Sequence, residues 1–377
     1  MLNYGEELSK LEEAGQLRGL KEFEGSATNF STNDYLGLGA DEALQAEFYS
    51  LHDAKSSPLY RCGSTSSRLL SGNHQGYGKL EEALASAYNC QAALVFNSGY
   101  HANIGLLAAL STKKDLILSD KLNHASIVDG CKLASAKTIR FKHADLSHLK
   151  TLLEKNHQDF ERIFIITESI FSMDGDLADL ISLVGLKKKY NAFLIVDEAH
   201  GVGVRGQKGL GLCEELNLIQ EVDLIVGTFG KALASSGAYA ICSNEVKLWL
   251  INQMRSLIFT TALSPVIVQW NLFIFEKMQA MNSRRLHLKA LADFCCEGLK
   301  AHFPVSGQSH IIPIMVGENH KTVDLAAKAR EEGFILFPIR PPTVPVGTSR
   351  LRLSLSSALT EEQILPLLKL LVEEMKR

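Results

Sequence analysis

A lysine, a carboxylate, a serine-glycine pair and two histidines occur in this chain just where short apolar runs end. Lys231 lies in Gly227-Thr228-Phe229-Gly230-Lys231, directly after the run 224–226. A primary amine in a Gly-rich loop beside buried strand is expected to be desolvated, which favours the neutral form that attacks an aldehyde. Asp197 closes the run Phe193–Val196, where a carboxylate can hold the proton of a pyridinium nitrogen. Ser98-Gly99-Tyr100 stands between another run and a helix expected from about His101, so backbone N–H groups and the helix dipole there suit a phosphate. Thr228 adds a hydroxyl from the neighbouring loop. His124, in Asn123-His124-Ala125-Ser126, can lie flat over a planar ring, and its plainer reading is a helix cap with a half-buried imidazole. His200, three residues after Asp197, can donate to a phenolic oxygen or can be a partly buried loop histidine. Each group alone has an ordinary explanation, a surface charge or a cap. Together they meet the needs of one cofactor, pyridoxal phosphate.

Other chemistries fit less well. Gly201-Val202-Gly203-Val204-Arg205-Gly206 has the spacing of a dinucleotide fingerprint, but four residues separate it from its strand and more glycines follow where a helix should open. Asp197-Glu198-Ala199-His200 spells a nucleotide hydrolase's acidic box, yet no phosphate loop precedes it; the nearest match, ending at Gly230-Lys231, lacks the first glycine and the hydroxyl residue after the lysine. There is no GxSxG elbow, and the 12 histidines show no metal-ligand spacing.

The elements that must position these residues follow from the pattern of runs. Seven short apolar segments (92–96, 115–119, 138–141, 163–167, 193–196, 224–226 and 239–242) alternate with amphipathic stretches such as 177–189. This predicts an α/β fold, a large domain with a mostly parallel seven-stranded sheet between helices. A helical region over 266–302, strands near 311–315 and 350–355 and a closing helix from Thr360 predict a smaller α+β C-terminal domain. The N-terminus reads as an arm, with a polar helix carrying Leu8, Leu11 and Leu17 up to Arg18 and a turn at 24–26. The expected boundaries are 1–40 for the arm, 41–270 for the large domain and 271–377 for the small one. With 377 residues, 46% of them hydrophobic and 21% charged, the chain has material for a sizeable core. A net charge of -3 gives no basic field for nucleic acid or anionic membrane. No run reaches the roughly 20 apolar residues of a membrane span. The seven cysteines form no CxxC pair and the N-terminus lacks a signal-peptide pattern, so the expectation is a cytoplasmic protein with reduced thiols.

Four motifs, Asn33-Asp34-Tyr35-Leu36-Gly37-Leu38, Phe171-Ser172-Met173-Asp174-Gly175-Asp176, Val196-Asp197-Glu198-Ala199-His200-Gly201 and Thr228-Phe229-Gly230-Lys231-Ala232, span nearly the whole chain. In this order they resemble the α-oxoamine synthases, pyridoxal-phosphate enzymes of the aspartate-aminotransferase fold that condense an amino acid with an acyl thioester and release CO₂. The run from Ile339-Arg340-Pro341-Pro342-Thr343 to Arg350-Leu351-Arg352-Leu353 is most similar to the branch that joins L-alanine to a pimeloyl thioester, carried by coenzyme A or a carrier protein. Glycine-using branches are the alternative. A non-catalytic protein that keeps the fold would lack the bound chromophore. The resemblance implies Lys231 as the lysine that carries the cofactor, Asp197 at the ring nitrogen and His124 stacked on the ring. It also implies Ser172 and His200 at the ring's polar edge and Gly99, Tyr100 and Thr228 at the phosphate. Arg18 and Thr343 are implied as substrate contacts, Arg340 and Arg352 as carboxylate binders, and no metal is implied. A homodimer with shared sites is expected, with Phe259-Thr260-Thr261 as the segment lent across. Ser66, Ser67, Tyr77 and Ala234 depart from the family's pattern. Alanine resists positive φ, so the backbone at 234 is expected to avoid that region.

Overall fold

The computed structural model describes residues 3–20, 22, 27–51, 57–305 and 309–375; the turn expected at 24–26 lies outside them. Two compact units emerge, one of Leu36–Phe171 with Leu177–Arg285 and one of Met1–Tyr35, Ser172–Asp176 and Leu286–Arg377.

Twelve strands are numbered here in chain order. In the first unit, β2 (Ala92–Phe96), β3 (Leu116–Asp120), β4 (Lys137–Phe141), β5 (Ile163–Glu168), β6 (Phe193–Asp197), β7 (Leu224–Thr228) and β8 (Ala238–Cys242) form one sheet in the order β2-β8-β7-β6-β5-β3-β4. Neighbours from β7 to β4 pair parallel, and β8 runs antiparallel to both β7 and β2. Every residue of β2, β3, β5, β7 and β8 is buried, as a sheet covered on both faces requires. The edge strand β4 instead exposes Lys137 and Arg140, charges that discourage pairing with another strand. Leu94, Phe96, Leu106, Ile117, Ile166, Ile195 and Val226 belong to one continuous core cluster.

The ends of several strands run later than their apolar runs. Glu168 pairs with Asp197, and Thr228 with Ala238, inside the ladder. Backbone pairing extends the strands through these polar residues, so hydrophobicity could not find them. The helix expected from 177 starts at Leu180, because Leu177 bridges to Ile170 and Asp179 caps the helix by accepting from Ser182 N at 3.0 Å. The helical region after 265 is two helices, Pro265–Gln279 and Asn282–Leu299. Buried Arg285 sits at the break, donating to the carbonyl oxygens of Met278 at 2.9 Å, Gln279 at 3.2 Å and Gln207 at 2.5 Å. It satisfies the carbonyls that the first helix leaves open.

In the second unit, β9 (Ile311–Gly317) pairs antiparallel with β12 (Ser349–Ser354), which also pairs with β11 (Pro338–Ile339). The two-residue β1 (Thr28–Asn29) lies parallel to β10 (Phe334–Ile335). The N-terminal helix is Tyr4–Glu13 and does not reach Arg18. Gly15, at φ +62, turns the chain there, with Gly15 N donating to Glu12 O and Gln16 N to Leu11 O, the two bonds of a Schellman stop. Leu17 and Arg18 therefore belong to the segment beyond the helix, which is a correction to the sequence reading.

Candidate active site

The lysine loop is the connection between the antiparallel strands β7 and β8. Its shape is over-determined: Phe229 N donates to Gly237 O, Ser235 N to Phe229 O and Ala234 N to Lys231 O, at 3.0, 2.9 and 2.8 Å. Phe229, Ala232 and Leu233 are buried and anchor it. Lys231 is half-buried, and its Nζ lies 2.7 Å from His200 Nε2. Thr228 Oγ1 donates to Gly237 O and accepts from Gly230 N, both at 3.1 Å.

Ala234 overturns the expectation made for it. It occupies the left-handed region at φ +47, held by the loop's own hydrogen bonds. An L-residue there costs ~1–2 kcal/mol, and glycine would give back ~0.5–1 kcal/mol of that through its freer unfolded chain. Ala234→Gly is therefore expected to raise the free energy of unfolding by ~0.5–1 kcal/mol. Urea titration of the two proteins measures this, and a lower midpoint in the glycine variant would contradict it.

Asp197, the last residue of β6, is buried, and each carboxylate oxygen takes one neutral donor: Asn103 Nδ2 to Oδ2 at 2.7 Å and Ala199 N to Oδ1 at 2.9 Å. The next residue, Glu198, faces inward, fully buried. Its oxygens accept from Ser169 Oγ at 2.5 Å and Cys213 N at 2.6 Å, and burial raises its pKa. The second acid of the Asp-Glu-Ala-His box is thus part of the core, unavailable to a nucleotide. A Cβ at Gly201 would come within 2.0 Å of Glu198 Oε2, so the glycine run that mimics a dinucleotide fingerprint folds a loop over this carboxylate and opens no helix.

His124 is the N-cap of helix Ala125–Leu133, its Nδ1 accepting from Ser126 N at 3.2 Å. The expected cap is found, but the residue is exposed and not half-buried. The turn before it is pinned to β5: Asn123 Nδ2 donates to Ile166 O at 2.9 Å, and His124 N to Glu168 Oε1 at 2.5 Å. Although water reaches the ring, surrounding protein and the charge of Lys231 lower its pKa below the usual imidazole range, against the opposing pull of Asp197 and Asp129. Both effects favour the neutral ring.

Ser98 caps helix Gly99–Leu110 by accepting from His101 N at 3.1 Å. The first helical N–H groups, those of Gly99 and Tyr100, have no partner within a helix. A Cβ at Gly99 would meet only Thr228 Oγ1, at 4.0 Å. The first-turn N–H groups of this helix and the Thr228 hydroxyl thus lie close together, and donors of this kind suit a phosphate. The Tyr100 phenol donates to Asp129 Oδ2 at 2.7 Å. Asn97 Nδ2 donates to Thr260 Oγ1 at 3.2 Å and Thr261 O at 2.5 Å, which fixes the Phe259-Thr260-Thr261 segment within its own chain.

The second unit holds the remaining candidates. Arg18 Nη2 donates to Thr343 Oγ1 at 2.8 Å, and Arg340 donates to the carbonyl of Gly15. Burial and the nearby Arg18 charge lower the Arg340 pKa. Arg352 contacts Asn33 Oδ1 at 3.4 Å and Tyr35 OH at 3.2 Å. None of these three guanidinium groups pairs with a carboxylate among the described residues. Arg350, by contrast, is buried against Asp174, which gives the Asp174 of the 171–176 motif a structural duty. Ser172 is buried in the same unit.

Asn103, Asn123, Ser126 and Glu168 support the site but were not read as part of it. The Asn-His-Ala-Ser and Thr-Glu-Ser strings held a partial signal, since polar residues at a strand's end have to be paired. Among the described residues no His, Cys, Asp and Glu cluster suits a metal, no helix is long and apolar enough to cross a membrane, and all seven cysteines are free.

The aminotransferase class I and II family model matches residues 26–371. A curated 8-amino-7-oxononanoate synthase from Chlorobaculum parvum is 53% identical over 338 residues, covering 89% of this chain and 86% of that one. The crystal structure of an 8-amino-7-oxononanoate synthase from Francisella tularensis matches with a TM-score of 0.79 at 30% identity, over 94% of this chain and 99% of that one. A serine palmitoyltransferase from S. paucimobilis, solved with pyridoxal phosphate bound as an adduct, matches with a TM-score of 0.90 at 26% identity, over 99% and 96% of the two chains.

Proposed function

This chain belongs to the aminotransferase class I and II family and is a pyridoxal-phosphate enzyme, and on that premise we propose that it joins L-alanine to a pimeloyl thioester with loss of CO₂. That is the reaction of an 8-amino-7-oxononanoate synthase, in biotin biosynthesis.

The residues present fit the cofactor: an amine beside an imidazole, a buried carboxylate with room for a further donor, and open helix N–H groups opposite a threonine. When bound, pyridoxal phosphate supplies an aldehyde that condenses with amines and a protonated ring that accepts electron density from the substrate's Cα. Lys231 Nζ would hold the cofactor and would take the substrate's Cα proton as general base. Its contact with His200 Nε2 gives that proton a second station. Asp197 keeps a proton on the ring nitrogen, because two neutral donors leave its charge for that purpose. His124 covers the ring as a neutral imidazole. The Gly99 and Tyr100 N–H groups and the Thr228 hydroxyl hold the phosphate, and Ser172 serves the ring's polar edge.

The observation that carries the substrate reading is the set of guanidinium groups without carboxylate partners among the described residues. An anion would relieve the charge that Arg18 and Arg340 impose on one another, and Arg352 has only neutral acceptors. Alanine and a pimeloyl chain each bring a carboxylate, which arginine receives with two parallel hydrogen bonds. Exposed Leu70 and Phe259 support assembly as a homodimer.

The test is a steady-state comparison of alanine, glycine and serine with pimeloyl and acetyl thioesters. Alanine with the pimeloyl thioester is expected to exceed the other pairings in kcat/KM by ~10-fold or more, the discrimination that a methyl group supports. Glycine with the acetyl thioester turning over faster would replace this reading with a glycine-using one.

A further inference from the structure

Asp197 and His124 are far apart in sequence and belong to different elements, yet one hydrogen-bonded chain joins them. Asn103 Nδ2 donates to Asp197 Oδ2 at 2.7 Å and to Ser126 Oγ at 3.0 Å. Ser126 Oγ lies 2.7 Å from His124 Nδ1. Asn103, Ser126 and Asp197 are all at least 96% buried, so water does not compete for these bonds. The helices that carry Asn103 and Ser126 pack closely: a Cβ at Gly130 would sit 2.3 Å from the carbonyl oxygen of Asn103.

The direction of donation along this chain is forced from one end. An ionised carboxylate only accepts, so the Asn103 amide must present its NH₂ group to it. The second N–H of that group then points at Ser126 Oγ, which accepts. Having accepted from Asn103, the serine hydroxyl is free to give its own proton to His124 Nδ1, where Ser126 N also donates. With Nδ1 an acceptor twice over, the proton of the neutral ring resides on Nε2.

From this we infer that Asn103 is a positioning residue, whose amide, anchored on the Asp197 carboxylate, turns the Ser126 hydroxyl toward His124 Nδ1 and so strengthens the Nε2–H tautomer that the Ser126 backbone N–H already favours. The inference rests on the placement of Asp197 and His124 about the cofactor ring proposed above. It adds that the groups serving the ring's nitrogen and its face are set by one buried amide. The arrangement has a cost: Asn103 Oδ1 is buried without a partner among the described residues, a penalty that a residue with a merely structural duty would have no reason to carry.

Nitrogen-15 multiple-bond NMR of the ring of His124 in the holoenzyme reads the tautomer directly. The unaltered protein is expected to show Nε2–H in ~10-fold excess or more, the bias that one buried hydrogen bond supports. Asn103→Leu, of the same shape without donors, is expected to cut that excess severalfold, as is Ser126→Ala, because the Ser126 backbone N–H is then left to donate to Nδ1 without the oriented hydroxyl, whereas Ser126→Thr, which retains the hydroxyl, keeps the full bias. Asn103→Ser, too short to span the gap, gives the same readout if the leucine variant does not fold. An excess that is unchanged in the folded Asn103 variants would overturn the inference. Loss of stability alone does not move a tautomer ratio. Failure of the cofactor reading would show separately, as a protein without the pyridoxal-phosphate chromophore.

Discussion

Lys231→Ala is expected to lower turnover by ~10⁴-fold or more, because one side chain serves both as the cofactor's attachment and as the general base. No neighbour can take over. The loop between β7 and β8 holds only this lysine, anchored by buried Phe229 and Leu233 on either side, and His200 already contacts its Nζ. The hydrogen bonds that shape the loop, among its backbone atoms and from Thr228 and Asn271, do not use the Lys231 side chain, so the variant should fold. Borohydride reduction followed by peptide mapping gives the independent check, since the reduced cofactor should be found on the peptide that carries Lys231 and be absent from the variant. Attachment to any other lysine, or an alanine variant with a tenth of the parent's rate, would remove the foundation of the functional reading.

Asp197→Asn should cost ~10²–10³-fold in kcat with a smaller change in stability. The substitution keeps shape, but its amide has one acceptor oxygen for the two buried donors Asn103 Nδ2 and Ala199 N, so one of them faces an NH₂ group and about 1–3 kcal/mol of stability is lost. What it removes is the negative charge, and with it the means of keeping a proton on the ring nitrogen. The effect is expected in kcat more than in KM, because the charge matters most as electron density moves into the ring. Rapid-mixing measurement of the chemical step with alanine tests this. A variant with unchanged kcat would place the ring nitrogen against some other group.

Much of the fold could be read before any coordinate. Continuous apolar runs located all seven strands of the large sheet, because strands buried on both faces have no polar side to interrupt them. The errors have local causes. Glu168 and Thr228 lengthen their strands through backbone pairing that apolarity does not register. Gly15 halts a helix whose leucine spacing continues to Leu17. Ala234 takes a backbone conformation that its residue type resists, because the loop's hydrogen bonds outweigh the local preference.

The site divides along the same line. Lys231, Asp197, Gly99 and His124 could be read as candidates because each follows or closes a strand of an open α/β sheet, where ligands of such folds bind. Residue type and position along the sequence therefore determined the cofactor chemistry. Only the tertiary structure decided how those groups are held. It turned Glu198 into a core residue, gave Asp174 to Arg350, left Arg18, Arg340 and Arg352 without acids among the described residues, and threaded Asn103 between Asp197 and Ser126. Asn103 and Asp197 are 94 residues apart; a contact of that kind has no period and no spacing, because it exists only once helices and strands have packed and a buried polar atom has had to find its partner.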